Sequence, residues 1–179
     1  MDDRKEFSCL FGLMDIVLPA EFERPSDEMA IKKFPYERRP QEIFMNSQGE
    51  QIITFNLLEK QLIENQVYGA ICEIERLIRH AYPESIRQRA GCTRAGDKLV
   101  GFFSFITGGL LEDQLHILFI LPLLQRMMLG SYHFPQGYEG QGKETFRRII
   151  KDIQIKEDLL ESGEQHRNGE GYAGSRIQR

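Results

Sequence analysis

Three strand-like segments follow one another between residues 98 and 135, and they constrain the fold more than any other part of the chain. Residues 99–107, 114–121 and 125–134 are dense in Phe, Leu, Ile and Met, with breaks at Gly108-Gly109 and at residues 122–124. Short connections favour antiparallel neighbours, because parallel strands need a crossover of a dozen or more residues. The region therefore predicts an antiparallel meander.

Further strands and a short helix are expected before the meander. Residues 7–18 read as one bent strand or two short ones, with Gly12 at the bend. Ser26 is placed to cap a short helix that ends before Pro35. Residues 42–57 predict a hairpin, since apolar and polar residues alternate after a turn at residues 46–49.

Two amphipathic helices are predicted on either side of the meander, over residues 64–81 and 142–160. Their apolar residues recur at intervals of three and four, as one buried helical stripe requires. The first stripe is Val67, Ile71, Ile74, Ile78 and Ala81, and the second is Phe146, Ile149, Ile150, Ile153 and Leu160. The pattern predicts an α+β fold in which helices flank the antiparallel sheet meander, on the same face or on opposite faces.

Length and composition favour one domain over residues 1–161, followed by a polar tail, residues 162–179, that we expect to be disordered. A chain of 179 residues can bury roughly 70% of its unfolded surface, so it needs no disulfide or metal to fold. The net charge of −4 argues against a nucleic-acid partner.

Targeting signals and cysteine spacing predict a cytoplasmic protein. The first residues are acidic rather than basic, which is unlike a signal peptide, and no apolar run approaches the roughly 20 residues of a membrane span. Cys9, Cys72 and Cys92 are far apart and lack metal-site spacing. We expect reduced thiols, no metal, no cofactor and no membrane association.

One glycine-rich segment imitates a phosphate-binding loop. Gly137 to Lys143 reads G-x-x-x-x-G-K between a predicted strand and a predicted helix. A phosphate-binding loop needs Ser or Thr next, and Glu144 stands there instead. The segment is therefore interpreted as a flexible loop that leads into a helix, with nucleotide binding as the alternative.

A histidine pair is the second candidate site. If Pro122 pairs with Gln125 across the last turn of the meander, His116 faces Ser131 and His133 faces Gln114 on one sheet face. A slip of one residue would separate the histidines onto opposite faces. A metal would need a third or fourth ligand, and the sequence places none beside them.

Three further residues join the candidate binding set. Tyr132 is one of the large side chains that alternate across the meander, and Arg38 and Arg39 follow an aromatic residue on a predicted surface loop. Cys72 is predicted to lie off the apolar stripe of its helix, near Tyr68, with no histidine to activate it as a nucleophile. No catalytic residue is predicted.

The order of these elements, with the segments KLVGFFSFITGG and MMLGSYHFP, resembles the PsbP-like α/β/α sandwich superfamily. The resemblance spans about residues 7–160 and implies a bacterial member of that superfamily. Its fold is shared by photosystem extrinsic proteins, a Ran-binding nuclear import factor, and bacterial adaptors or chaperones for secreted effectors. Binding, rather than catalysis, is their common activity.

The residues and the resemblance together favour a non-enzymatic protein-binding module, adaptor-like or chaperone-like, that uses a sheet face or edge. Its partner would be another protein or a second copy of the chain. The alternative is a small enzyme or ligand-binding protein that uses the His116/His133 face or the segment from Gly137 to Lys143.

Overall fold

The computed structural model describes residues 3–156, in which strands come in consecutive groups separated by helices. The strands are β1 Arg4–Cys9, β2 Met14–Pro19, β3 Glu42–Met45, β4 Ile52–Gln61, β5 Ile86–Ala95, β6 Lys98–Thr107, β7 Gln114–Leu123, β8 Arg126–Pro135 and β9 Gln154–Ile155. The α-helices are α1 Asp27–Lys33, α2 Val67–Ala81 and α3 Glu139–Asp152, and short 3-10 turns precede α2 at Glu64–Gln66 and α3 at Gln136–Tyr138.

The predicted meander is confirmed and forms half of a six-stranded antiparallel sheet. The strand order is β3-β4-β8-β7-β6-β5, so β6, β7 and β8 are neighbours in chain order. The predicted hairpin of β3 and β4 continues the sheet from β8 outward. The α+β class with an antiparallel sheet is therefore established for the described residues.

The register between β7 and β8 differs from the expected one by two residues. Leu123 pairs with Arg126, which leaves a two-residue turn at Leu124 and Gln125. Both turn residues have positive φ angles, 52° and 57°, as a tight hairpin turn requires. A shift of two residues keeps every side chain on its predicted face.

The N-terminal segment forms two strands rather than one bent strand. β1 and β2 pair as a hairpin, and Gly12 sits in its turn at φ 83°. Short β9 then pairs with the other side of β2, which completes a three-stranded sheet.

The C-terminal helix is shorter than predicted. α3 ends at Asp152, because Ile153 is extended and begins the return to β2. The predicted helix end at Leu160, the domain limit at 161 and the tail lie outside the described residues.

The two long helices lie on opposite faces of the large sheet. Val67 and Ile71 of α2 pack on the outer strands β5, β6 and β7, and they approach Gly101 so closely that an added Cβ would lie 2.8 Å from Ile71. On the other face, Phe146 of α3 packs against Phe119 with ring centroids 5.3 Å apart. The small sheet shares this second core, since Phe7 contacts Phe44 of β3. The result is a sheet between two helical layers.

No helix within residues 3–156 has both the length and the apolar composition to span a bilayer.

Candidate functional site

His116 and His133 lie directly opposite each other on β7 and β8, with ring centroids 5.5 Å apart. The sequence predicted a shared face but a diagonal contact. The two-residue shift in register replaces Ser131 by His133 as the partner of His116, and Ser131 pairs with Leu118 instead.

The polar groups around the histidines bind one another. His116 Nε2 lies 2.8 Å from Thr107 Oγ1, and the His116 ring stacks on Phe105 at 4.7 Å. The hydroxyls of Ser131 and Thr54 are 2.8 Å apart. These contacts give His116 and Ser131 hydrogen-bond partners outside the predicted cluster.

Burial makes both histidines poor bases at neutral pH. It lowers the pKa of His116 to about 4. It also lowers the pKa of His133 to about 4, with smaller effects from His116 and from Lys33. Both rings are therefore neutral near pH 7. Within residues 3–156, no group of three or more His, Cys, Asp and Glu side chains is arranged to hold a metal.

The face that carries the histidines is only partly covered by a helix. α2 packs on β5, β6 and β7, and beyond it β8 and β4 present the half-buried side chains of Leu129, Ser131 and Asn56. Leu118 and His133 are half-buried on the same face. The open part of the sheet is thus a mixed polar and apolar surface with no formal charge on these residues.

The remaining candidate residues lie elsewhere. Tyr132 is fully buried on the opposite face of the sheet, where its hydroxyl donates a 2.6 Å hydrogen bond to Gln51 Oε1. It cannot share a surface with His133, because successive residues of a strand point to opposite faces. Arg38 and Arg39 are exposed on the connection between α1 and β3.

The glycine-rich segment is not a loop. Gly140, Gly142 and Lys143 lie inside α3, and Lys143 Nζ is 2.5 Å from Glu139 Oε1 one turn earlier. The backbone N–H of Gly137 donates to Glu112 Oε1 at 2.7 Å, so a carboxylate of the chain already occupies that amide. A phosphate cradle of backbone amides is therefore absent from residues 137–143.

The cysteines show no catalytic arrangement. Burial raises the pKa of the Cys9 thiol to about 12. Cys72 is half-buried on α2, and its hydrogen bond with Tyr68 raises the pKa of the Tyr68 hydroxyl. The predicted position of Cys72 beside Tyr68 is thus observed.

Strand β5 is a surface that sequence reasoning did not single out. It is the outermost strand of the large sheet, and its residues from Gly91 to Ala95 pair one for one with β6. The opposite edge strand, β3, has four residues and is bridged on its outer side by Glu23. Among residues 3–156, β5 is therefore the long strand with an unpaired outer edge. The sequence contained one signal, the spacing of arginines in R-x-R-x-x-x-x-R.

The turn at Gly96-Asp97 fixes which backbone groups of β5 point outward. A two-residue hairpin turn makes the flanking residues, Ala95 and Lys98, a hydrogen-bonded pair. Hydrogen-bonded and non-hydrogen-bonded pairs then alternate along an antiparallel ladder. The N–H and C=O groups of Arg94 and Cys92 consequently face away from β6.

The charge of β5 is of one sign. Arg87, Arg89 and Arg94 are exposed, and the strand Ile86–Ala95 has no Asp or Glu. Arg94 donates to the carbonyl of Asp97 at 2.6 Å and lies 3.5 Å from Glu64 Oε1. Arg87 and Arg89 have no ion pair among the described residues.

Comparison with known proteins identifies the fold and nothing finer. No family model matches the sequence, and no curated protein matches it. The solved structures with similar folds include the cyanobacterial PsbP protein CyanoP from Synechocystis sp. PCC 6803, at 6% identity and TM-score 0.58 over 87% of this chain and 94% of that one. The chain has the PsbP-like fold.

Two further structures are similar at 11% identity. One is a Bacteroides thetaiotaomicron VPI-5482 protein, with TM-score 0.54 over 88% of this chain and 50% of that one. The other is LpqN of Mycobacterium tuberculosis, a protein involved in cell envelope biogenesis, with TM-score 0.53 over 80% of this chain and 83% of that one. At these identities the likeness shows the fold alone.

Proposed function

We propose that the protein is a non-enzymatic binding module that takes up an extended acidic segment of another protein along the edge of β5. The observation that carries the proposal is the unpaired edge itself, with its outward backbone groups at Cys92 and Arg94 and its exposed arginines. A peptide that adds as a strand gains main-chain hydrogen bonds from such an edge.

Charge selects the partner. Carboxylates of the added segment would form ion pairs with Arg87 and Arg89, which lie in the bulged half of β5, next to the half that can pair regularly. A second copy of the chain fits less well, because β5 against β5 would bring arginines together. The bulges between Ile86 and Gly91 restrict regular pairing to the second half of the strand.

The histidine face supports binding less directly. Its hydroxyl and imidazole groups already bind one another, and its histidines are neutral near pH 7. The same facts argue against the enzymatic alternative, because imidazoles with pKa values near 4 are weak general bases and the Ser131 hydroxyl lies on Thr54.

The test uses two end-blocked peptides, one of alternating Glu and Val and one of alternating Lys and Val. We expect the acidic peptide to bind at least about tenfold more tightly, and to shift the amide resonances of Cys92 and Arg94 in an NMR titration. Cys92→Pro should abolish binding with the fold intact, because it removes an outward N–H without breaking a ladder bond.

Matched variants separate the edge from other surfaces. Cys92→Ala keeps the backbone N–H and should bind normally, and Arg89→Glu should weaken binding about tenfold. Arg76 is exposed on α2, outside β5, and Arg76→Glu should leave peptide binding unchanged. Equal binding of both peptides would overturn the proposal. Leu110 and Leu111 are fully exposed in the loop between β6 and β7. If Leu110→Ser and Leu111→Ser abolished binding while Arg89→Glu bound normally, the site would be that loop and the proposal would be overturned.

A further inference from the structure

A cleft of about 470 Å³ lies between α3 and the outer strands, on the face of the sheet opposite to the histidines. Its volume falls in the range of roughly 300–1,000 Å³ that small-molecule sites occupy. It differs from the proposed peptide site, which is the outer backbone edge of β5, although Gln88 and Thr93 of that strand also line the cleft.

The floor of the cleft is apolar and partly aromatic. It is formed by Phe102, Ile117, Phe146 and Ile150. The rings of Phe102 and Phe146 are tilted by 52° with centroids 5.7 Å apart, and Phe102 is only half-buried. A flat ring can pack here in the tilted or offset arrangements that aromatic pairs prefer.

One buried hydroxyl lines this floor without a partner. Ser104 is 1% exposed, and its Oγ has no hydrogen bond among residues 3–156. Leaving a buried polar group unpaired is unfavourable, so most such groups find a partner in protein, water or ligand. A ligand with its own hydroxyl or carbonyl group would supply one.

The rim of the cleft is cationic. Lys143, Arg147 and Lys151 follow one another at intervals of four residues and so lie on one side of α3, at the rim of the cleft. Glu139 pairs with Lys143 and Glu144 pairs with Arg147.

Lys151 differs from the other rim cations. It is exposed and has no ion pair within the described part of the chain. It is therefore the rim group best placed to bind a carboxylate that the protein does not itself supply.

We propose that the cleft binds a small aromatic carboxylate that carries a hydroxyl group on its ring. The ring would pack against the exposed side of the Phe102 and Phe146 pair, the hydroxyl would bond to Ser104, and the carboxylate would reach Lys151. The proposal does not rest on the edge-strand function.

Three related probes test each part of this assignment: para-hydroxyphenylpropionate, phenylpropionate and the methyl ester of the first. Binding is measured by calorimetry and by ligand-observed NMR. The first probe should bind with a Kd below about 1 mM and about tenfold more tightly than either of the others. Phenylpropionate lacks the partner for Ser104, and the ester lacks the charge for Lys151.

Two variants assign the contacts to residues. Ser104→Ala should raise the melting temperature of the ligand-free protein, because it removes an unpaired buried hydroxyl, and should abolish the preference for the hydroxylated probe. Lys151→Gln should weaken the binding of both carboxylate probes about tenfold and leave the binding of the ester unchanged. Arg76→Gln on α2, on the other side of the sheet, is the control and should bind all three probes normally.

Equal binding of the three probes, or no binding at millimolar concentration, would overturn the proposal. Unchanged discrimination in Ser104→Ala and Lys151→Gln would overturn it as well. The peptide experiment depends on Cys92 and Arg89, and the cleft variants leave both residues unchanged. The two proposals can therefore fail separately.

Discussion

Glu75 of α2 accepts a 3.0 Å hydrogen bond through Oε2 from the backbone N–H of Ala90 in β5. Its other carboxylate oxygen pairs with Arg79, one turn along the helix. Glu75 is 5% exposed, so this buried carboxylate joins α2 to the bulged half of the edge strand.

Glu75→Ala should lower the free energy of unfolding by about 2 kcal/mol, because it leaves the Ala90 N–H unpaired and removes the partner of the half-buried Arg79. Glu75→Gln keeps an acceptor for Ala90 and should cost less. Glu73 on the same helix is exposed, and its ion pair with Arg76 is 3.6 Å long. Glu73→Ala should therefore change stability by less than about 0.5 kcal/mol. Denaturant unfolding measures all three, and equal losses at both positions would contradict the structural role of Glu75.

Gly140 and Gly142 of α3, in the segment whose sequence resembles a phosphate-binding loop, should change stability in opposite directions when replaced by alanine. An added Cβ at Gly142 would lie 2.4 Å from the Phe134 ring, whereas at Gly140 it would meet nothing within 4 Å. Gly142→Ala should destabilise the protein by about 2–4 kcal/mol through overpacking. Gly140→Ala should stabilise it by about 0.5–1 kcal/mol, because alanine favours the helix. Thermal unfolding distinguishes the two, and a stabilising Gly142→Ala would refute the close packing of α3 on β8.

The histidine pair should make stability depend on pH. Burial lowers the folded-state pKa of His116 and His133 to about 4, against an unfolded value near 6.5. Between these values the unfolded chain binds protons that the folded chain does not, so stability is fully present above about pH 6.5 and falls as the pH falls toward 4. The loss is on the order of 3 kcal/mol per histidine.

Replacing His116 and His133 by Gln should flatten the stability profile between pH 7 and pH 4.5, measured by urea unfolding. Exposed His80 on α2 offers the matched control, and His80→Gln should leave the slope unchanged. A double variant as sensitive to pH as the wild type would show that groups other than the histidine pair govern this range.

Most elements of the fold could be predicted because each has a period that packing enforces. The stripe of Val67 and Ile71 recurs at the spacing of a helix, and α2 forms with those residues buried. Apolar and polar residues alternate over residues 53–57, and β4 places Ile53 and Phe55 in the core, although Ile52 and Thr54 on its other face are buried too. Local patterns suffice where one face meets the core and the other does not.

The histidine pair shows the limit of that reasoning. The sequence placed His116 and His133 on one face, since the face depends only on the parity of the register. Their direct contact depends on the turn at Leu124 and Gln125, which has neither Gly nor Asn and so carries no sequence signal for positive φ.

The sequence by itself determined most of the secondary structure, the antiparallel meander and the face on which the meander residues lie, because these follow from periods of two and of about 3.6 residues. The tertiary structure decided what is left unpaired. Only the order of strands in space makes β5 an open edge, and only the position of α3 encloses Ser104 in a cleft. Both depend on contacts between residues far apart in the chain, and no local pattern records them.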